Sequence, residues 1–583
     1  MAEVNINTER IDDIPLLISF LQQMGIQETL DTYADSHGNR QGLSMGWLTT
    51  AWLSYIVSES DHRMIEVEPW AKKHIETLSA LIPQAVDSIS SKDFTDDRLA
   101  DLLGWLSEDS VWEEVENHLS QHLVQVYALD QEPIRLDSTT ASVYHDTEGN
   151  TLFRHGYSKD HRPDLPQLKV MLGTIDPMGM PLATLVLPGN EADDGLYIPT
   201  VIRARQALGQ GDHLYVGDAK MSALDTRAFI QAGGDYYLTP LAQTGDVPEL
   251  MKELLKPVWR SRQEQSLELI YPPTDDTVTD DIKPKAIALG YEVTRIQEAA
   301  LSNQNKMEWE ERLLMVYSLS LARKARRGLS QRLENTEKAI LALTPPKGRG
   351  KRQHKDLNTL QSSVGSILKK YRVEGLLDIS YICEERQRRI RKYKDCPART
   401  EKSIRYVAQV QRNQQAISEV RLAMGWRLYA TNAPIEKLPL SKAVNMFRGA
   451  PRMERNFARL KGRALGISPL YVQREDHVCG MVRLLSLALR VLTLVEYVAR
   501  KELKSAGETL SGLYSGNPKR QTARPTTERL LKAFRYIDLS VVRLPDQTIY
   551  HVTPLSELQK RILVLLGIKP AIYEGLMPFL DTG

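Results

Sequence analysis

The chain has 583 residues, too many for one compact core, so two or three domains are expected. Hydrophobic residues make up 42% and charged residues 26%, with a mean hydropathy of −0.35, an ordinary composition for a soluble protein. A net charge of only +1 excludes a global electrostatic pull on nucleic acid, so any DNA contact must rest on local basic surfaces.

The start, Met-Ala-Glu-Val-Asn-Ile-Asn, lacks the basic and apolar regions of a signal peptide. No apolar run approaches the roughly 20 residues of a membrane span, and no membrane partner is expected. Cys383, Cys396 and Cys479 have no paired spacing, so neither a disulfide framework nor a zinc site is suggested and a reducing cytoplasm fits. From about Arg10 to Ala128 the text reads as helices. Leu43 to Val57 and Trp105 to Tyr127 carry apolar residues at helical spacing, with Ser107 and Ser110 as candidate caps. Residues 1–130 are therefore read as a helical domain, a candidate for DNA-end recognition, although no clean helix-turn-helix pattern stands out.

The texture changes at Pro133. Pro133 to Asp137, Leu168 to Ile175 and Pro181 to Leu187 read as strands, with Asp176-Pro-Met-Gly179 as the turn between the last two. Asp193 to Leu208 reads as a helix and His213 to Asp218 as a strand ending in an acid. Ser222 is placed to cap a following helix, and Asp235 to Thr239 is a fifth strand. Residues 131–245 thus predict a mixed α/β sheet with acids at strand ends. Residues 246–432 combine strand-like stretches (Tyr291–Arg295, Leu313–Tyr317, Asp378–Ile382) with a charged helical run from Ser320 to Leu343. The most basic tracts, Lys347–Lys355 and Arg386–Lys394, lie there too. They suit a DNA grip or simply a solvated loop. Helical texture returns at Ser441, over 433–503, and a helical C-terminal region is expected over 504–583.

Three places carry potential chemistry. Asp137 and Asp218 each close a strand, where a carboxylate at a sheet rim can ligate a hard cation such as Mg²⁺; taken singly, an Asx-turn or a helix cap explains each as well. The third is the segment Phe447 to Lys461. Pro451 suits a first helical turn, and Ala450, Met453, Phe457, Leu460 and Ala464 form an apolar stripe. Glu454 borders that stripe amid Arg448, Arg452, Arg455, Arg459 and Arg463, with Lys461 two turns away. Either the acid ligates metal while its neighbours bind phosphate, or it pairs with arginine on a solvated helix. Trp426 and Met481 read as core residues.

At these residues the sequence resembles the DDE-type transposases of bacterial insertion sequences, in the branch whose RNase H-like core is interrupted by a strand-rich insertion. That branch carries Tyr, two residues, Arg, three residues, Glu, six residues, Lys. Glu454 and Lys461 match in register, whereas Phe447 and Ala450 stand where Tyr and Arg belong; Arg448 or Arg452 is placed to supply the missing charge. Gly156-Tyr-Ser-Lys-Asp-His-Arg-Pro-Asp-Leu-Pro-Gln167 is similar to another block of the family, as are Pro188-Gly-Asn190 with Asp193 and Asp194, and Tyr429-Ala-Thr-Asn432. The matches span roughly 130 to 495. The resemblance implies an RNase H-like mixed sheet interrupted by a β-rich insertion, with Asp137, Asp218 and Glu454 holding two Mg²⁺ ions (Mn²⁺ as a substitute). It also implies Lys461, Arg448, Arg452 and Arg459 on DNA phosphates, transposon ends and target DNA as partners, and a dimer in the synaptic complex. The setting would be a bacterial cytoplasm, nucleoid-associated when bound to DNA. Hydrolysis at element ends, hairpin formation and strand transfer would be the reactions.

Overall fold

The computed structural model describes residues 5–34, 42–83, 89–209, 211–260, 266–273, 285–300, 306–346, 348, 354–391, 397–449 and 451–576, without the side chains of Arg260, Pro451 and Arg452. Nine strands form one mixed sheet: β1 (Ile134–Ser142), β2 (Gln167–Ile175), β3 (Met180–Pro188), β4 (Leu214–Gly217), β5 (Tyr236–Pro240), β6 (Glu268–Ile270), β7 (Ala288–Ala300), β8 (Lys306–Ser318) and β9 (Trp426–Thr431). Their spatial order is β3-β2-β1-β4-β5-β9-β8-β7-β6. β1, β2 and β3 pair antiparallel, joined between β2 and β3 by the expected turn, where Gly179 takes a positive φ of 76°. β4 and β5 then continue parallel to β1. Parallel neighbours need a crossover connection; α1 (Tyr197–Leu208) and α2 (Leu224–Ala232) lie in those connections. Every residue of β2 is buried, as its near-continuous apolar run requires of a strand covered on both faces.

All five expected core strands are present. Around them the structure departs from the sequence reading in instructive ways. β6, β7 and β8, which belong to the range 246–432, extend the core sheet, because β9 returns between β5 and β8 and pairs antiparallel with both. The helix Val247–Arg260 packs on the main core through Met251 and Leu255, whereas small separate cores form around Leu329, Leu333, Val373 and Ile417, and around Ile340, Leu360 and Val364. There a hairpin of Leu377–Ile390 and Arg399–Arg412 exposes Arg386, Arg388 and Arg389. Most of the basic tract 347–355, and residues 392–394, lie outside the described residues. The single helix expected over 105–127 is two, Asp96–Ser107 and Asp109–Val126, because Glu108 is extended. Ser107 donates back to the Gly104 carbonyl and caps neither helix. Ser222 is not the cap of α2 either: that position is Ala223, and the Ser222 hydroxyl donates to the Ala219 carbonyl.

The C-terminal region is not purely helical. Asp538–Arg543 and Thr548–Val552 form a three-stranded antiparallel sheet with Asn5–Arg10. Their short alternating runs are easily lost beside stronger helical periodicity, and the pairing spans the whole chain.

A 32-residue helix, α5 (Glu475–Ala506), runs through the protein. By length and composition it is apolar enough to cross a membrane, which corrects the expectation that no such run exists; 94% of its apolar window is nevertheless buried inside this protein. A Cβ at Gly480 would run into the Leu103 carbonyl, so the glycine permits close contact with the Asp96–Ser107 helix. Glu116, fully buried, ties three layers together: it accepts from Arg490 of α5 at 2.7 Å, from Arg203 of α1 at 3.1 Å and from the Thr184 amide of β3 at 3.1 Å. Met481 is buried, and Trp426 packs on Tyr317.

Candidate active site

Register brings two of the predicted acids together. β1 and β4 pair in parallel at Ile134 with Tyr215, Arg135 with Val216 and Leu136 with Gly217. The next residue on each chain is Asp137 and Asp218. β4 stops at Gly217 while β1 runs on to Ser142, so Asp218 does close a strand but Asp137 lies mid-strand, beside the gap its shorter neighbour leaves. A Cβ at Gly217 would collide with the Met221 side chain, so glycine lets Met221 pack closely against the strand end. The Asp218 carboxylate accepts from the Tyr197 hydroxyl at 2.6 Å and from the Lys220 amide at 2.8 Å; its carbonyl accepts from Thr239 at 2.7 Å. Asp137 accepts from the Ser138 amide at 2.8 Å.

A third carboxylate, Asp193, joins them through Ser138, whose hydroxyl donates to it at 3.2 Å. Two lysines face the group. Lys159 Nζ stands 4.0 Å from Asp137 and 3.9 Å from Asp193, and donates to the Ser138 carbonyl at 2.6 Å. Lys169, buried, bonds Asp193 at 2.6 Å. Lys159 is delivered by the segment 156–167, which folds over β1: its amide donates to Thr140, and Gln167 donates to the carbonyls of Tyr157 and Gly189. A Cβ on Gly156 would strike the Gly189 carbonyl and one on Gly189 the Gln167 carbonyl. Two separated motifs of the sequence are thus locked backbone to backbone beside Asp137. Lys159, Asp193 and Tyr197 were not singled out as site residues from the sequence; their only signal there was membership of those blocks, or proximity to them.

The charges are unbalanced. Burial first, then the neighbouring Asp218 and Asp193, push the Asp137 carboxyl up to about 6, with Lys159 opposing. Burial would raise Asp193 too, but the Lys169 hydrogen bond and both lysine charges outweigh it and hold this carboxyl below its ordinary value. The Tyr197 hydroxyl is driven far upward by burial and by Asp218, so it remains a donor.

The Glu454 helix, α4 (Pro451–Lys461), packs against β1. Arg135, two residues before Asp137, is buried against Asp176 at 2.8 Å and donates to the Met446 carbonyl at 2.6 Å, at the end of α3 (Leu440–Phe447). Asn456 donates to the Gly179 carbonyl, and Lys461 pairs with Asp160 of the folded-over segment at 2.6 Å. Glu454 itself is exposed. Among the described residues, no three His, Cys, Asp or Glu side chains converge closely enough to hold a metal ion. Asp137 and Asp218 thus stand side by side, and Glu454 lies exposed on α4. One predicted phosphate contact is corrected: Arg459 is buried, held by Glu496 at 2.5 Å and Glu528 at 2.9 Å, so its guanidinium is already satisfied inside the fold. Arg448 is exposed, Phe447 packs edge-on against Tyr429, and Ala450 and the Arg452 side chain lie outside the described residues.

No protein-family model matches the chain, and no curated protein does. Among solved structures, it is similar to the piggyBac transposase of a cryo-EM synaptic complex with hairpin DNA, at a TM-score of 0.26 and 9% identity. The likeness covers 52% of this chain and 62% of that one, so the chain spans less than two thirds of that protein's length.

Proposed function

We propose that the chain is a DNA transposase with an RNase H-like core, cleaving and joining DNA with two divalent ions held by Asp137, Asp218 and Glu454. The observation that carries this reading is the side-by-side placement of Asp137 and Asp218 by parallel register at the centre of the sheet. The order of three antiparallel strands followed by two parallel ones supports the RNase H-like description. The donor set suits Mg²⁺ or Mn²⁺, since both prefer carboxylate oxygen. The Asp137 carboxyl is raised mainly by burial, with Asp218 and Asp193 adding to it and Lys159 opposing, and a bound cation would favour its charged form. Bound divalent metal would activate the attacking oxygen and stabilise the departing one in phosphoryl transfer.

The chain's own residues have definite tasks in this scheme. Ser138 and Tyr197 orient the Asp137 and Asp218 carboxylates through the hydrogen bonds described. Lys159 keeps a positive charge beside them. Lys461 offers an ammonium to a phosphate, at the cost of its pairing with Asp160. Transposon ends and target duplex would be the substrates, with a dimer assembling on them in a bacterial cytoplasm.

A second reading, a DNA-binding descendant without catalysis or a nuclease without strand transfer, is favoured by one observation: among the described residues no three acids gather into a metal-binding group, and Glu454 is exposed. One assay separates the three. Purified protein is mixed with donor DNA carrying the repeats that flank its gene, a target plasmid, and Mg²⁺. Joined product that disappears in Asp137→Asn, Asp218→Asn and Glu454→Gln supports the transposase. Nicks without joining indicate a nuclease, and binding without cleavage sinks the catalytic reading.

A further inference from the structure

A second charged site lies on the helix that follows β8. A cavity of about 340 Å³ opens between the end of β8, β9 and α3. Its wall carries Lys324, Arg427 and Arg448, with the hydroxyl groups of Ser318, Ser320 and Tyr429 beside them, and no carboxylate lines it among the described residues. All three cations are exposed, and none forms an ion pair among the described residues. Three exposed cations therefore gather around one cavity that no carboxylate lines among the described residues.

The helix itself adds an independent observation. Leu319–Leu343 begins with Ser318 as its cap and has no acid in its first turn. Arg323, Lys324, Arg326 and Arg327 crowd its N-terminal half instead. The dipole of a helix favours anions at its first turn, and Lys324 lies on the turn that follows it. An external anion at the cavity would satisfy both the helix end and the cations.

We infer that this cavity binds the phosphodiester backbone of duplex DNA, at a place separate from the aspartate pair. The choice of anion rests on the transposase reading. Arg448 then has a role distinct from serving Glu454: it acts with Lys324 and Arg427, which the fold brings beside it from distant parts of the chain. The mixed character of the wall, with charges for phosphate and aromatic edges of Tyr429 and Phe447 behind them, suits a backbone lying along a groove.

The test is equilibrium binding of a fluorescent duplex to the full chain in EDTA, across a salt series. Without metal there is no cleavage, so this experiment is independent of catalysis. Neutralising Lys324, Arg427 and Arg448 to Ala together is expected to weaken binding strongly at low salt. The slope of log affinity against log salt should fall by about 3, at roughly 0.9 for each phosphate that is no longer neutralised. A control set of exposed lysines, Lys519, Lys532 and Lys569, changed to Ala should leave the slope near wild type. Equal slopes in the two triple variants would overturn the inference. So would displacement of the duplex by excess ATP at matched ionic strength, which would assign the cavity to a small phosphate ligand. Cleavage failing while the slope change holds would count against the transposase reading alone.

Discussion

Replacing Glu116 with Ala is expected to be the most damaging single change away from the candidate active site. Glu116 and Arg490 are both fully buried, and Arg203 is nearly so. Removing the acid strands the Arg490 guanidinium in the interior, while Arg203 keeps its pairing with Glu113 at 3.1 Å; breaking a buried pair from one side costs about 3–5 kcal/mol. The Thr184 amide loses its acceptor as well, worth a further ~1–3 kcal/mol where no water replaces it. Burial already pulls the Arg490 guanidinium below its ordinary value, with Glu116 as the main influence opposing it. The two costs together give about 4–8 kcal/mol. Trp112 reports on the site directly, since its indole donates to the Thr184 carbonyl and Arg490 lies 5.8 Å over its ring. Urea unfolding followed by tryptophan fluorescence and circular dichroism would measure the loss. The double variant Glu116→Leu with Arg490→Met should recover most of it, because exchanging both charges for apolar groups removes the desolvation cost. A loss below about 1 kcal/mol in Glu116→Ala would refute the reasoning, since no buried charge could then have been left unpaired.

Divalent-metal binding should depend on pH through Asp137. Its carboxyl, raised to about 6, is protonated below that value and ionised above it, so Mn²⁺ affinity measured by calorimetry should rise as pH increases through about 6. Lys159→Met removes the charge that lowers this carboxyl and should move the midpoint upward; an unchanged midpoint would show that Lys159 does not act on Asp137. Arg459→Ala should lower the thermal midpoint, because Glu496 and Glu528 lose a shared partner, while leaving the salt dependence of DNA binding intact; Lys461→Ala should do the reverse. Gly189→Ala should disturb the packing of 156–167 over β1 and reduce soluble yield, detectable as new protease cleavage within that segment; resistance equal to wild type would contradict the backbone contact.

The strands around Asp137 and Asp218 were legible because short apolar runs bounded by turn residues leave few alternatives. Their partnership was not. It depends on parallel register between residues about eighty positions apart, and no local pattern encodes register across a crossover. Asp137 was placed at a strand end because its apolar run stops there, yet β1 continues through Ser-Thr-Thr-Ala-Ser, kept in the sheet by pairing with β2. Lys159 and Asp193 became site residues only when the segment 156–167 folded over that strand. Arg459 looked like a phosphate contact because arginines surround it in sequence; its carboxylate partners come from α5 and from the helix Thr527–Lys532.

By itself, then, the sequence determined five strands of the core sheet, which acids they carry, and that Glu454 and Lys461 share a helix two turns apart. These follow from periodicity and turn chemistry, which act over a few residues. Only the tertiary structure decided which charges meet. Asp137 stands beside Asp218 and under Lys159, Arg459 is consumed by the interior, and Lys324, Arg427 and Arg448 gather at one cavity. Long-range packing alone sets those neighbours, and in a partly buried setting the neighbours decide whether a charge is structural or free to act.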